Sequence, residues 1–133
     1  MSEETIDRLR AALDAFNRTG EIGPDLLDSN IEMHQASSII DTAGVFHGRE
    51  GLREMLGELQ EAFEDLSFEA EEISETPEGE IVAFIRVRGR GKGSGIEVDN
   101  AIAWVVTLRD DSIARIVVYE ERAEALEAAG LSE

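Results

Sequence analysis

The chain has 133 residues, 42% of them hydrophobic and 32% charged, which fits one globular domain over 1–133 and excludes a disordered chain. A formal net charge of -18 repels phosphate backbones, so no nucleic acid is expected as a partner. The absence of cysteine excludes a disulfide framework and thiolate chemistry and points to a cytoplasmic protein. The longest apolar runs, such as Ile102 to Val106, fall far short of the roughly 20 residues of a membrane span. The opening Met-Ser-Glu-Glu has neither the basic region nor the apolar core of a signal peptide.

Ser2 caps a first predicted helix, with Glu3 and Glu4 at the positive end of its dipole. Ile6, Leu9, Leu13 and Phe16 recur at helical spacing, and Gly20 closes the segment. Gly23-Pro24-Asp25 opens a short second helix, because proline suits a first helical turn. Ile31 to Gln35 alternates as a strand, and Ala36 to His47 reads as irregular. A third helix from about Gly48 to Phe63 places Leu52, Met55, Leu56, Leu59 and Phe63 on one stripe.

Strands follow. Leu66, Phe68 and Ala70 share one parity and Ile73 has the other, so a bulge is expected near Glu71-Glu72. Thr76 to Gly79 is a turn. Ile81 to Lys92, Gly95 to Arg109 and Ile113 to Glu121 are strands separated by turns at Gly93-Ser94 and Asp110-Asp111. A last helix runs from Arg122 to Ala129, with Gly130 at its C′ position. The eleven acids and no base between Glu54 and Glu80 are threaded with regular apolar residues, the pattern of a solvated face. The order α-α-β-α-β-β-β-β-α predicts an α+β fold with helices segregated from an antiparallel sheet.

Arg86, Arg88, Arg90 and Lys92 alternate along one strand and so share one face. An anion site and cross-strand pairing both fit that stripe. A fold about Gly93-Ser94 sets Arg90 opposite Glu97 and Arg88 opposite Asp99, which favours pairing. On the other face, Gly89 and Gly91 among apolar residues leave room for a ligand, a bend or close packing. The glycine-rich run to Gly95 lacks phosphate-loop spacing and has no helix behind it.

Several of these pieces together resemble the SnoaL-like branch of the nuclear transport factor 2-like superfamily. They are Phe16-Asn17 ending the first helix, Ile31-Glu32-Met33-His34, and Phe46-His47-Gly48-Arg49-Glu50. Gly91 to Val98, Thr107-Leu108-Arg109-Asp110 and the closing Tyr119 to Leu131 complete the set. The resemblance covers nearly the whole chain. It implies a cone-shaped fold, a cystatin-like roll, in which a strongly curved sheet wraps a long helix around an apolar pocket. Members include ketosteroid isomerase, polyketide cyclases, limonene epoxide hydrolase and scytalone dehydratase, beside non-enzymatic binding proteins, so fold alone leaves function open.

The isomerase chemistry needs a carboxylate base with a tyrosine and a protonated acid as donors. The corresponding positions here are Gln35, Ala12 and a site near Trp104, so that chemistry does not carry over. The expectation is a small-molecule protein for a mostly apolar ligand. It is either a binder or a proton-transfer enzyme of isomerase, cyclase, dehydratase or epoxide hydrolase-like type. A non-catalytic, dimeric interaction module is the alternative.

Asp41, in the stretch that rims the mouth in relatives, Glu120 on the last strand, and His34 are the candidate acids or bases. Phe16, Met33 and Gln35 join Asn100 and Trp104 as the expected pocket wall, the last two through parity on their strand. Whether Ile116, Val118 and Glu120 or Val117 and Tyr119 face inward is open from the sequence. Two histidines without a carboxylate pattern indicate no metal, and no cofactor is expected. Val82 and Phe84, on the outward parity, and an apolar last strand point to a homodimer through the outer sheet face.

Overall fold

The computed structural model describes residues 2–20, 27–35, 44–110 and 112–130. Helix α1 (Ser2–Thr19) forms on the expected spacing and buries Leu9, Leu13 and Phe16. Strand β1 (Leu27–Gln35) starts earlier than its alternation suggested and pairs with β2 (Gly44–His47). β2 corrects the irregular assignment of residues 44–47: four residues are too few to display a period, and only pairing with β1 defines them. The short helix expected from Gly23, and the stretch that includes Asp41, lie outside the described residues.

Helix α2 (Gly48–Ala62) buries Leu52, Met55, Leu56 and Leu59. Then come β3 (Phe63–Glu75), β4 (Ile81–Gly91), β5 (Glu97–Arg109), β6 (Ser112–Tyr119) and α3 (Arg122–Ala128). The six strands form one curved, unclosed sheet in the order β2-β1-β6-β5-β4-β3. Every neighbouring pair is antiparallel except β1 and β6, which run parallel. That pair corrects the expectation of a wholly antiparallel sheet; parallel neighbours need a long crossover, and the chain from β2 to β5 supplies it. The pairing of β3 with β4 shifts between Ala70 and Glu72, where the apolar parity changes. A second shift falls between Glu64 and Ser67, beside Asp65 at a φ of 54°.

The β4–β5 register sets Arg88 opposite Asp99 and Arg90 opposite Glu97. Arg88 Nε lies 3.7 Å from Asp99 Oδ1, and Arg86 reaches the same oxygen at 3.2 Å and Glu71 at 3.6 Å. These pairs are solvent-exposed, so they set register more than they add stability. The room at Gly89 is taken by close packing: a Cβ there would meet the backbone of Glu64 and the Phe63 side chain at 3.4 Å.

Two apolar clusters sandwich the sheet. The larger one joins α1 and α2 to the inward parity of the strands, including Ile85, Val87, Ile102, Trp104, Ile116 and Val118. This answers the question of β6: Ile116 and Val118 face the interior. On the outer face, Val82, Phe84, Ala103 and Val105 pack against Ala125, Leu126 and Ala129 of the C-terminal segment. Arg122 sits 4.0 Å above the Phe84 ring and pairs with Glu72 at 3.1 Å, a cation–π contact that closes the edge of the cluster. Val82 and Phe84, one part of the argument for a homodimer, are therefore covered by the chain's own α3, and the outward Val117 of β6 lies outside that cluster.

Leu59 is 4% exposed beneath the sheet. Leu59→Ala is expected to cost about 2–5 kcal/mol in urea melts, the range for deleting a buried leucine side chain. A loss under about 0.5 kcal/mol, ordinary for a surface substitution, would mean that α2 does not bury this stripe.

Candidate functional site

Two polar clamps seat the helices over the concave sheet. Asn17, near the end of α1, gives its amide hydrogen to the Phe68 carbonyl and accepts the Phe68 N–H, both at 2.9 Å. The side chain thus imitates a neighbouring strand and satisfies both backbone groups of a residue on edge strand β3. Arg49 does the equivalent for α2, donating Nε at 3.1 Å and Nη2 at 2.8 Å to the Leu27 carbonyl. Gly48 makes the strand-to-helix junction with a φ of 74°, a conformation that suits glycine. The Phe-His-Gly-Arg-Glu segment has a mechanical purpose: Phe46 packs on the core, Gly48 turns the chain and Arg49 locks it.

Between the helices and the sheet lies an apolar cavity of about 40 Å³. α1 contributes Leu9, Ala12 and Leu13; α2 contributes Leu52, Met55, Leu56 and Leu59; the strands contribute Leu27, Met33, Phe68, Val87, Ile102, Trp104, Ile113, Ile116 and Val118. An aromatic row crosses this region: Phe16 meets Phe68 edge-on at 5.2 Å, and Phe68 meets Trp104 at 6.2 Å. The free volume exceeds the roughly 10–15 Å³ that one water requires, but most of the interior is filled by its own side chains. Met33 and Met55 are the walls most able to change shape, having flexible unbranched chains.

Of the side chains expected to act here, Met33 and Trp104 line the cavity. Phe16 is buried one layer away, behind Phe68. Asn100 has the inward parity, opposite Val87, yet is exposed and not part of the lining. Glu120 follows the last residue of β6 and is exposed. His34 alternates with the buried Met33 and so faces the outer side of β1. Asp41 and the Gln35 side chain lie outside the described residues. The lining from α2 was legible as a core stripe, but nothing in a helical period distinguishes core from cavity wall.

His34 belongs instead to a polar cluster on the outer face. Its Nε2 lies 3.0 Å from Glu32 Oε1, and His47 Nδ1 lies 4.0 Å from Glu32 Oε2. An ionised carboxylate only accepts, so His34 Nε2 carries the hydrogen. That hydrogen bond holds Glu32 below the ordinary carboxylate value of 4.5, reinforced by the charges of His34, His47 and Arg115 and opposed by desolvation. No group of three or more histidine, aspartate or glutamate side chains among the described residues is placed to hold a metal ion.

Two wider grooves are polar and open. One, of about 260 Å³, follows Arg88–Arg90 and Glu97–Asp99; the other, of about 380 Å³, runs between α1 and β3. Their main polar groups are engaged within the fold, Arg88 with Asp99 and Asn17 with Phe68. The smaller apolar cavity is the better-formed site. None of the described helices is long and apolar enough to cross a membrane.

The family model of the SnoaL-like domain matches residues 7–116. No curated protein sequence matches the chain. Among solved structures, the chain is similar to a protein with a ketosteroid isomerase-like fold from Catenulispora acidiphila in complex with trimethylamine. That match has 15% identity, covers 96% of this chain and 93% of the other, and has a TM-score of 0.69. It is also similar to TerC co-crystallised with polyporic acid, at 16% identity over 94% and 96% of the two chains with a TM-score of 0.74. A third is SalBIII, an epoxide hydrolase/cyclase-like enzyme in pyran ring formation in the polyether salinomycin, at 14% identity over 91% and 93% with a TM-score of 0.72. At such identities the likeness establishes the cone fold, and function is argued from the site itself.

A carboxylate held low in the folded state stabilises the fold above its unfolded value and loses that contribution as pH falls through the folded one. Glu32→Gln is therefore expected to melt below the wild type near neutral pH. The gap should close on acidification, at pH values under the ordinary carboxylate value. A gap in melting temperature that stays constant down through that range would contradict the His34–Glu32 contact.

Proposed function

The chain belongs to the SnoaL-like domain family, and we propose that it binds a small, mostly apolar molecule in the cavity beneath α1 and α2. The uninterrupted apolar lining carries this proposal. The described residues around the cavity contribute no carboxylate, imidazole or hydroxyl, and the indole N–H of Trp104 is the one strong hydrogen-bonding group among them. Each methylene moved from water into such a site contributes about 0.8 kcal/mol, so affinity should follow carbon count until the space is full. Neither His34 nor Glu120 belongs to that lining, and we assign proton transfer to neither. Two proteins of similar fold, described with trimethylamine and with polyporic acid, are compatible with a small organic guest.

Trp104 is the only tryptophan in the chain and part of the cavity wall, so its emission reports occupancy directly. Benzene is larger than the resting space of about 40 Å³ and enters only as the flexible Met33 and Met55 walls yield. Titration with benzene, toluene and ethylbenzene is therefore expected to change that emission saturably, the smallest compound binding with the least displacement of the walls. Ala12, partly buried at the same wall, offers the control: Ala12→Leu should occupy the space and weaken binding at least several-fold while the circular dichroism stays that of the wild type. Emission that is unresponsive to all three compounds, or equally responsive in Ala12→Leu, would remove the proposal.

A further inference from the structure

We infer that Asn17 and Arg10 of α1 close the β3 edge of the sheet against strand pairing with a second copy of the chain. β3 ends the strand order on one side and has 13 residues, against four in β2 at the other end. A long edge strand presents its outward N–H and C=O groups as a template for another strand. In an antiparallel pair, alternate residues direct both backbone groups to the same side. Between its two register shifts β3 pairs regularly with β4 over residues 67–70. Phe68 and Ala70 are the outward positions of this run, for their groups meet α1. Asn17 takes the Phe68 N–H and C=O, both at 2.9 Å, and Arg10 Nη1 donates to the Ala70 carbonyl at 3.2 Å. A second strand arriving at this run finds those groups already occupied.

The flanks of the run point the same way. The shifts between Glu64 and Ser67 and between Ala70 and Glu72 break the straight edge that a partner strand needs. Six of the 13 residues of β3 are acidic and none is basic. A two-fold pairing of two copies centred on Glu69 would bring the two Glu69 carboxylates opposite each other, and like charges so placed disfavour a sheet pair. Charge thus opposes the approach of a second β3, and the α1 side chains deny it hydrogen bonds. This device is independent of any guest in the cavity.

The test compares the full chain with the double variant Arg10→Ala/Asn17→Ala. Alanine is the best helix former, so α1 loses the two guards and keeps its helical propensity. Light scattering over a concentration series is expected to show an unchanging mass for the wild type. The double variant should reach at least about twice that mass, and do so at lower concentration in high salt, which screens the acids. Hydrogen exchange locates the contact: the Phe68 amide should be slow in the wild type, fast in the dilute double variant, and slow again once it associates. Leu13→Ala loosens α1 but keeps both guards, and is expected to retain the wild-type mass. Should the double variant fail to fold, Asn17→Ala alone decides by the same measurements. The inference is overturned by a variant that keeps the wild-type mass at every concentration and salt, or that associates while its Phe68 amide stays fast. Equal association of Leu13→Ala would overturn it as well.

Discussion

The amide of Asn17, paired with both backbone groups of Phe68, is the contact on which the interior depends. An edge strand offers a row of unpaired backbone groups, and here one side chain of a helix takes two of them. Because the pair is reciprocal, α1 cannot slide along β3 without losing both bonds. It therefore fixes where Leu9, Ala12 and Leu13 stand above the sheet, and it seats Phe68 between Phe16 and Trp104. Arg49 repeats the device at the other end, tying the first turn of α2 to the start of β1. With both helices pinned at polar points, the apolar faces between them can remain incompletely filled.

That incomplete filling is where structure becomes function. Interiors normally pack as tightly as organic crystals, so an apolar cavity of about 40 Å³ is a feature that calls for a purpose. The acidic groups that give the chain its charge lie elsewhere. Glu32, Glu71, Glu72 and Asp99 make exposed ion pairs on the outer side of the sheet or at its edges, and none reaches the cavity lining. The acids of α1 and α2 are likewise absent from the lining.

Much of this was legible in the sequence where the signal is local. The turn at Gly93-Ser94 predicts the register that sets Arg88 against Asp99, and the change of parity after Ala70 predicts the shift in β3. The α2 stripe is legible for the same reason, since its period lies within fifteen residues. The parallel pairing of β1 with β6 has no local signature, because the partners are about eighty residues apart. Val82 and Phe84 read correctly as outward, but an apolar outer patch looks the same whether a second subunit or the chain's own C-terminal helix covers it. Asn100 shows the limit of parity: alternation gives the side of the sheet, and not how far along it the covering helices extend.

The central claim is that the space between α1, α2 and the sheet is an apolar site open to a guest. Crystals of the protein held under xenon pressure test it most directly, because xenon enters dry apolar cavities without needing any polar partner. One dominant xenon position is expected, bounded by Leu13, Met55, Phe68 and Trp104. A crystal with xenon only on the surface, or in the polar groove along Arg88 and Glu97, would contradict it.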